Sequence, residues 1–497
     1  MTEEIGGRRR IAWLDTARAY GIFLVFYGHF VEVISRGDNL NAVTQQKLIY
    51  AFHMPLFILL SGYLAKAQLP GLWPFLRKQA ATRLLPVIFF SVLMVPIGLA
   101  LDSLMDRDGF PPGVRARWVD DWQDLSGRLA PPHGKDYQDI RARLWTGMSD
   151  SAQVTVRHGA AGDSLTAAQR RLITRAINAQ LDQRDLYSPE AFAGVKLPPT
   201  VQQALEAGTL ELDDGDPVRS HNARLTWWTL FPEDDWWWEE GDSLWDEWLR
   251  DAIWTLRGYP NFNWLTWFLI CLFTVELIHF LVVRLLTSSL RVGLAIPLFC
   301  VAGWLATMDM GRRQDFWFAR ESLLLYAFYL AGYLLCTTGV LQRLSLRGSI
   351  ALLLMAGAVT LGTFQLNPGS PMYNPVVLVN LSQHGHVGLF LLTAFTGSLM
   401  VIALAQITPA SRLISVIGRN TLVLMALSYI YFRPINYLIA DLLPVGPSHL
   451  ELVLWCTAVC LAQMALLAPV IWLLNRYLPQ LIGTPRVSGP WLPKLVD

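Results

Sequence analysis

The chain has 497 residues, 53% of them hydrophobic, and a mean hydropathy of +0.34. Forty Lys and Arg balance 39 Asp and Glu, for a formal net charge of +1. That balance gives no electrostatic footprint for a nucleic-acid partner. Repeated apolar runs of about 18 residues or more, each able to cross a hydrocarbon core of about 30 Å, exclude an ordinary soluble domain.

Ten membrane spans are expected, near 13–34, 46–65, 83–101, 264–283, 292–309, 321–340, 348–365, 386–407, 420–440 and 451–474. The predicted class is all-α, a polytopic membrane helix bundle of about ten spans with a mostly helical extracytoplasmic insertion. The chain divides into residues 1–101 (three spans), 102–262 (the insertion) and 263–497 (seven spans). Lys and Arg gather in alternate short connections, among them Arg8 to Arg10, then Lys66, Arg77, Lys78 and Arg83, and later Arg412, Arg419, Arg476 and Arg486. By the positive-inside rule both termini are cytoplasmic and the insertion lies outside, in a multi-pass protein of the inner (plasma) membrane. The basic cluster before the first apolar run looks like an export signal. The run is long, carries charge and lacks a small-residue cleavage site, so it reads as a retained span.

The first span carries the chemistry. Arg18 and His29 stand eleven residues apart in it, about 16 Å along a helix axis at ~1.5 Å per residue. Eleven residues is close to three turns, so the two project from nearly one face. Ionisable side chains inside a span are functional candidates by default. The bland alternative pairs Arg18 with Asp15 at i and i+3 and leaves His29 at the interface. The functional reading needs both side chains on one shared cavity.

In the second span His53 precedes a break expected at Met54-Pro55, where it orients a substrate or caps freed backbone. Residues 102–262 hold 27 acidic and 17 basic residues, three Pro pairs and an amphipathic helix near 165–186. Eight Trp crowd into 227–254. They suit the membrane interface, or a surface for sugar rings. Gly-Asp-Ser-Leu occurs at 162–165 and 241–244, as in some serine esterases, but the chain has no D-x-x-H partner block for a triad. The five cysteines all fall in expected spans, so no disulfide framework is implied. Glu276 and His279 at i and i+3 read as an internal hydrogen-bonded pair. His384 and His386 flank Gly385 in a loop before the eighth span. Neither pair carries the further ligands that a metal site needs.

The segments Leu14-Asp15-Thr16-Ala17-Arg18 and Leu24-Val25-Phe26-Tyr27-Gly28-His29 resemble the signature of the acyltransferase 3 family. These are multi-span membrane O-acyltransferases of the glucan succinyltransferase and O-antigen acetyltransferase type. The stretches Phe52-His53-Met54-Pro55, Arg83-Leu84-Leu85-Pro86, Trp267-Phe268-Leu269 and Gly418-Arg419-Asn420-Thr421-Leu422 are similar to other family segments. Where many members carry a late histidine, this chain reads Met425-Ala426-Leu427-Ser428. The resemblance implies a catalytic role for His29 and an essential one for Arg18.

The residue chemistry agrees. Transfer of an acyl group to a hydroxyl needs a base, and histidine serves near neutral pH. Guanidinium groups suit donor phosphates, so Arg18, Arg77, Lys78 and Arg83 are the candidate donor contacts. His53, Trp267, His384, His386 and Arg433 are candidate acceptor contacts. The expected reaction moves an acyl group, acetyl or succinyl, from cytoplasmic acyl-CoA to a hydroxyl of an extracytoplasmic glycan or glycolipid. Acyl-CoA is a co-substrate; no permanent cofactor, metal or nucleic-acid partner is expected, and membrane lipid surrounds the bundle. The competing readings are a transporter or flippase for an anionic or lipid-linked solute, with the buried charges as pathway groups, and a non-catalytic assembly partner.

Overall fold

The computed structural model describes residues 4–5, 8–9, 11–35, 39–66, 70–105, 244–258, 260, 262–307, 316–369, 376–442 and 448–496. Apart from a two-residue antiparallel pair, Glu4–Ile5 with Arg8–Arg9, and one isolated bridge between Leu378 and Gln383, the described backbone is helix and its connections. Eight of the described helices are long and apolar enough to cross a membrane, nine if one bent pair counts as a span. The all-α class therefore holds. The insertion, including its expected amphipathic helix, most of its Trp run and all but Leu244 of the Gly-Asp-Ser-Leu segments, lies largely outside the described residues.

Helix α1 (Ala12–Ser35) is the hub. Hydrophobic helices that are buried all round sit at the centre of a bundle, and α1 meets α2 (Leu40–Tyr50), α3 (His53–Tyr63), α11 (Val387–Ile407), α12 (Arg412–Arg419), α13 (Thr421–Ile430), α14 (Asn436–Leu442) and α15 (His449–Leu466). The second expected span is two helices, α2 and α3. They part at Ala51–Phe52, not at Met54-Pro55. Pro55 is only the third residue of α3, where no helical partner needs its missing N–H. His53 Nδ1 lies 2.9 Å from the Ile49 carbonyl oxygen, capping the end of α2.

The third span starts earlier than the sequence suggested. α4 (Leu72–Gln79) runs through a π-turn, Ala80–Leu84, into α5 (Leu85–Met105). A second π-turn, Tyr431–Ile435, joins α13 to α14. π-turns often mark functional places because they re-aim side chains. Helix α6 (Leu244–Leu256) returns the chain to the bundle, with Trp248 Nε1 donating to the Val92 carbonyl at 3.0 Å. Then come α7 (Trp267–Val282), α8 (Ser289–Thr307), α9 (Ala319–Thr338) and α10 (Leu346–Thr363), with α16 (Ala468–Tyr477) last. α8 and α10 expose rows of leucines, as lipid-facing helices do. α12 and α13 meet at a 71° bend.

Close backbone contact fixes the centre. A Cβ at Gly62 of α3 would clash with the Tyr329 carbonyl of α9, and one at Gly332 of α9 with the Leu59 carbonyl of α3. Small residues facing each other let membrane helices touch through their backbones.

Candidate active site at the first helix

A partly open pocket forms at the Ser35 half of α1. Its wall includes His29, Tyr50, His53, Trp264, Trp267 and Phe432. These come from α1, α2, α3, the entry to α7 and the second π-turn. Three rings stand edge-on to the His29 imidazole, with centroids of Trp264, Phe432 and Tyr50 at 5.7, 5.2 and 6.1 Å. Met425, in the stretch 425–428 where many members of the resembled family carry a late histidine, is also on the wall.

His29 is 12% exposed, and so is Glu32, one turn on. His29 Nδ1 lies 3.2 Å from the Tyr50 hydroxyl and 3.4 Å from Glu32 Oε2. Tyr50 donates its hydroxyl hydrogen to Glu32 Oε2 at 2.7 Å. Glu32 and Tyr50 were missed by the sequence reading. The signal was the i, i+3 spacing of His29 and Glu32; Tyr50 carried none, since its approach depends on the break between α2 and α3. Trp264 Nε1 is buried with no hydrogen-bond partner among the described residues.

The candidate acceptor residues divide. His53 and Trp267 line the pocket. His384 does not: its Nε2 bonds Glu321 Oε1 at 3.0 Å, and its carbonyl accepts from Asn367 Nδ2. Ser382 donates to the other Glu321 oxygen at 2.7 Å. This buried carboxylate pins the segment whose residues 377–381 form part of the wall. His386 caps α11, its Nδ1 accepting from the Leu389 N–H. The Arg433 side chain lies outside the described residues.

The other half of α1 faces a basic cluster. Arg18 is half-buried and has no hydrogen-bond or ion-pair partner among the described residues; Asp15 and Arg83 are the charges that act on it. The alternative Arg18–Asp15 pair does not close, and Arg419 Nε approaches Asp15 at 3.9 Å instead. Arg83, aimed inward from the first π-turn, grips Glu276 of α7 with bonds of 2.8 and 3.3 Å. Lys78 feels the charges of Glu276, Lys66, Arg486 and Arg83. Arg77 instead bonds the Leu495 carbonyl at 2.9 Å, tying the C-terminal segment to α4. Glu276 and His279 are not paired with each other: Glu276 goes to Arg83, and His279 Nδ1 lies 3.1 Å from the Tyr326 hydroxyl. Lys66 and Arg486 were not among the donor candidates; only folding brings residue 486 back to the π-turn, where Gly483 packs against Thr82.

His29 is on the pocket wall and Arg18 is not. Phe57 of α3 packs on Gly21, one turn past Arg18, and its ring meets that of Phe268 at 5.8 Å. The glycine is what lets the ring in. The two candidate groups thus mark two half-sites on one helix, with Phe57 meeting α1 at Gly21 between their positions.

The family model for an acyltransferase domain matches residues 11–111. The nodulation protein NolL of Sinorhizobium fredii (strain NBRC 101917 / NGR234) is 31% identical over 99 residues, 19% of this chain. The chain spans 27% of the length of that relative. No solved structure matches the chain. Residues 11–111, which hold α1 to α5 with Arg18, His29, Lys66, Lys78 and Arg83, are thus the part of the chain that is similar to an acyltransferase domain.

Proposed function

We propose that the protein is a membrane acyltransferase that moves an acyl group from acyl-CoA to a hydroxyl of a glycan or glycolipid. The observation that carries this is His29, held at Nδ1 and set in the wall of an open, aromatic pocket. Its Nε2 is the base for an acceptor hydroxyl, and Trp264 and Trp267 offer faces to a sugar ring. Arg18, Lys78 and Arg83, with Lys66 and Arg486, hold the donor's phosphates by charge-assisted hydrogen bonds. Arg77, bonded to Leu495, contributes field rather than contact. The thioester reaches His29 past Phe57 and Phe268. In the transfer, the hydroxyl proton goes to His29, the oxygen attacks the thioester carbonyl, the C–S bond breaks and the thiol leaves with the proton. By the positive-inside rule the basic half-site is cytoplasmic and the pocket opens outward. The proposal extends to an acetyl or succinyl group, an envelope acceptor and a place in the inner membrane, which the resemblance to glucan succinyltransferases and O-antigen acetyltransferases supports.

The test is His29→Ala in the full chain, with envelope glycans compared by mass spectrometry. Loss of a general base lowers transfer by about a hundredfold or more. Wild-type acylation in a well-folded variant overturns the proposal, and solute uptake into vesicles without thioester consumption points to the transporter reading.

A further inference from the structure

We infer that Glu32 and Tyr50 are positioning residues that act through His29, fixing which ring nitrogen carries its proton. This rests on the acyltransfer reading for its catalytic meaning. The argument starts from the hydrogens. Tyr50 has one hydroxyl hydrogen, and at 2.7 Å it goes to the Glu32 carboxylate. A carboxylate accepts and does not donate. The Tyr50 oxygen at 3.2 Å and Glu32 Oε2 at 3.4 Å are then both acceptors toward His29 Nδ1. That nitrogen must be the donor. In a neutral imidazole the other nitrogen, Nε2, then keeps its lone pair.

Two further features support it. A Cβ at Gly28 would lie 3.2 Å from the Tyr50 ring and 3.3 Å from Ile49, so glycine at this turn of α1 lets Tyr50 come close enough. The pair also helps in the charged state. When an acceptor hydroxyl gives its proton to Nε2, the imidazolium sits beside the Glu32 carboxylate. The sulfur takes that proton as the C–S bond breaks, leaving ester, thiol and neutral His29. A carboxylate that holds the tautomer and steadies the imidazolium is the role such a group plays beside a catalytic histidine.

The experiment uses the full chain in nanodiscs, labelled with 15N-histidine, with the His29 signals assigned by their loss in His29→Ala. The expected result is a neutral ring protonated at Nδ1. Tyr50→Phe combined with Glu32→Leu is expected to shift the proton toward Nε2, while Tyr50→Phe alone leaves Glu32 as acceptor and keeps much of the Nδ1 form. An Nε2-protonated ring in the wild type, or a tautomer indifferent to the double variant, overturns the inference. Where transfer of acetyl from acetyl-CoA is measured, Glu32→Gln is expected to lower kcat by about tenfold or more with KM for acetyl-CoA unchanged. If His29→Ala retains full transfer, the acyltransfer reading fails whatever the tautomer. If His29→Ala is inactive and the tautomer does not respond, this inference alone fails.

Discussion

Trp264 is buried on the pocket wall, yet its indole N–H has no acceptor among the described residues. Leaving such a donor unpaired costs about 1–3 kcal/mol. On the proposed function its place beside His29 accounts for that cost, with a substrate oxygen completing the bond. Trp264→Phe keeps most of the ring and removes the hydrogen. The variant is expected to unfold at the same or a higher temperature than the wild type, and to turn over acyl-CoA about tenfold more slowly or worse, as losing one donor to a reacting oxygen does. Thermal unfolding and initial rates on one preparation check both halves, and a variant both less stable and fully active would contradict the assignment. Glu276 presents the opposite balance. It is 6% exposed and is held by the doubly bonded Arg83 guanidinium. Glu276→Ala strips a half-buried cation of its partner, and breaking such a pair costs about 3–5 kcal/mol. A lowered unfolding midpoint is expected, along with a salt-sensitive rise in donor affinity, because Arg83 then turns to phosphate unopposed. Unchanged stability would mean the pair is solvated in the membrane.

At the scale of helices, the legible parts of the fold were those written in contiguous apolar runs. α1, α7, α9 and α11 lie close to their expected positions because each is a long run with little charge. The Arg18–His29 spacing was legible for the same reason: helix geometry fixes it within one element. The rest depended on contacts between elements. The break at Ala51–Phe52 follows from His53 satisfying the Ile49 carbonyl, which Pro55 in the sequence only hints at. The π-turn that turns Arg83 to Glu276, the seat of Tyr50, and the contact of Phe57 with Phe268 arise from packing that no local pattern records. His384 shows the converse. A histidine beside glycine in a loop reads as a candidate acceptor contact, but folding buries it on Glu321. The backbone contact of α3 and α9 gives this scale its prediction. Gly332→Ala places a methyl group against the Leu59 carbonyl, with Tyr63 N close behind. Backbone cannot yield as a flexible side chain does, and overpacking costs about 1–3 kcal/mol or more. The variant is expected to unfold several degrees lower in detergent and to lose transfer, since α3 carries both His53 and Phe57. A Gly293→Ala control, which meets nothing within 4 Å, is expected to be silent.

Across the whole molecule, α1 joins two chemically opposite ends. One end gathers Arg18, Lys66, Lys78, Arg83 and Arg486 around Glu276 and Asp15. The other is an aromatic pocket with His29 on its wall. A donor with an anionic nucleotide and an acceptor rich in hydroxyls need not enter from the same side. The proposed function therefore demands a definite orientation, and the distribution of Lys and Arg among the connections favours one in which the basic end faces the cytoplasm. This can be read without any substrate. The five native cysteines are buried or half-buried, and all sit on helices of the bundle, so a membrane-impermeant maleimide finds little background. Single substitutions Lys66→Cys and Arg486→Cys, both at exposed positions, are expected to label only after the inner face is opened. Asn380→Cys, on the pocket wall, is expected to label in intact cells. Acyl-CoA added to opened membranes is expected to slow labelling at residue 486 and leave residue 380 unaffected, since the proposed function puts the phosphates among the cations and the acceptor at the wall segment. Labelling of both ends from one side would remove the reason for two half-sites on one helix, and with it the proposed route of an acyl group from a cytoplasmic thioester to an outer hydroxyl.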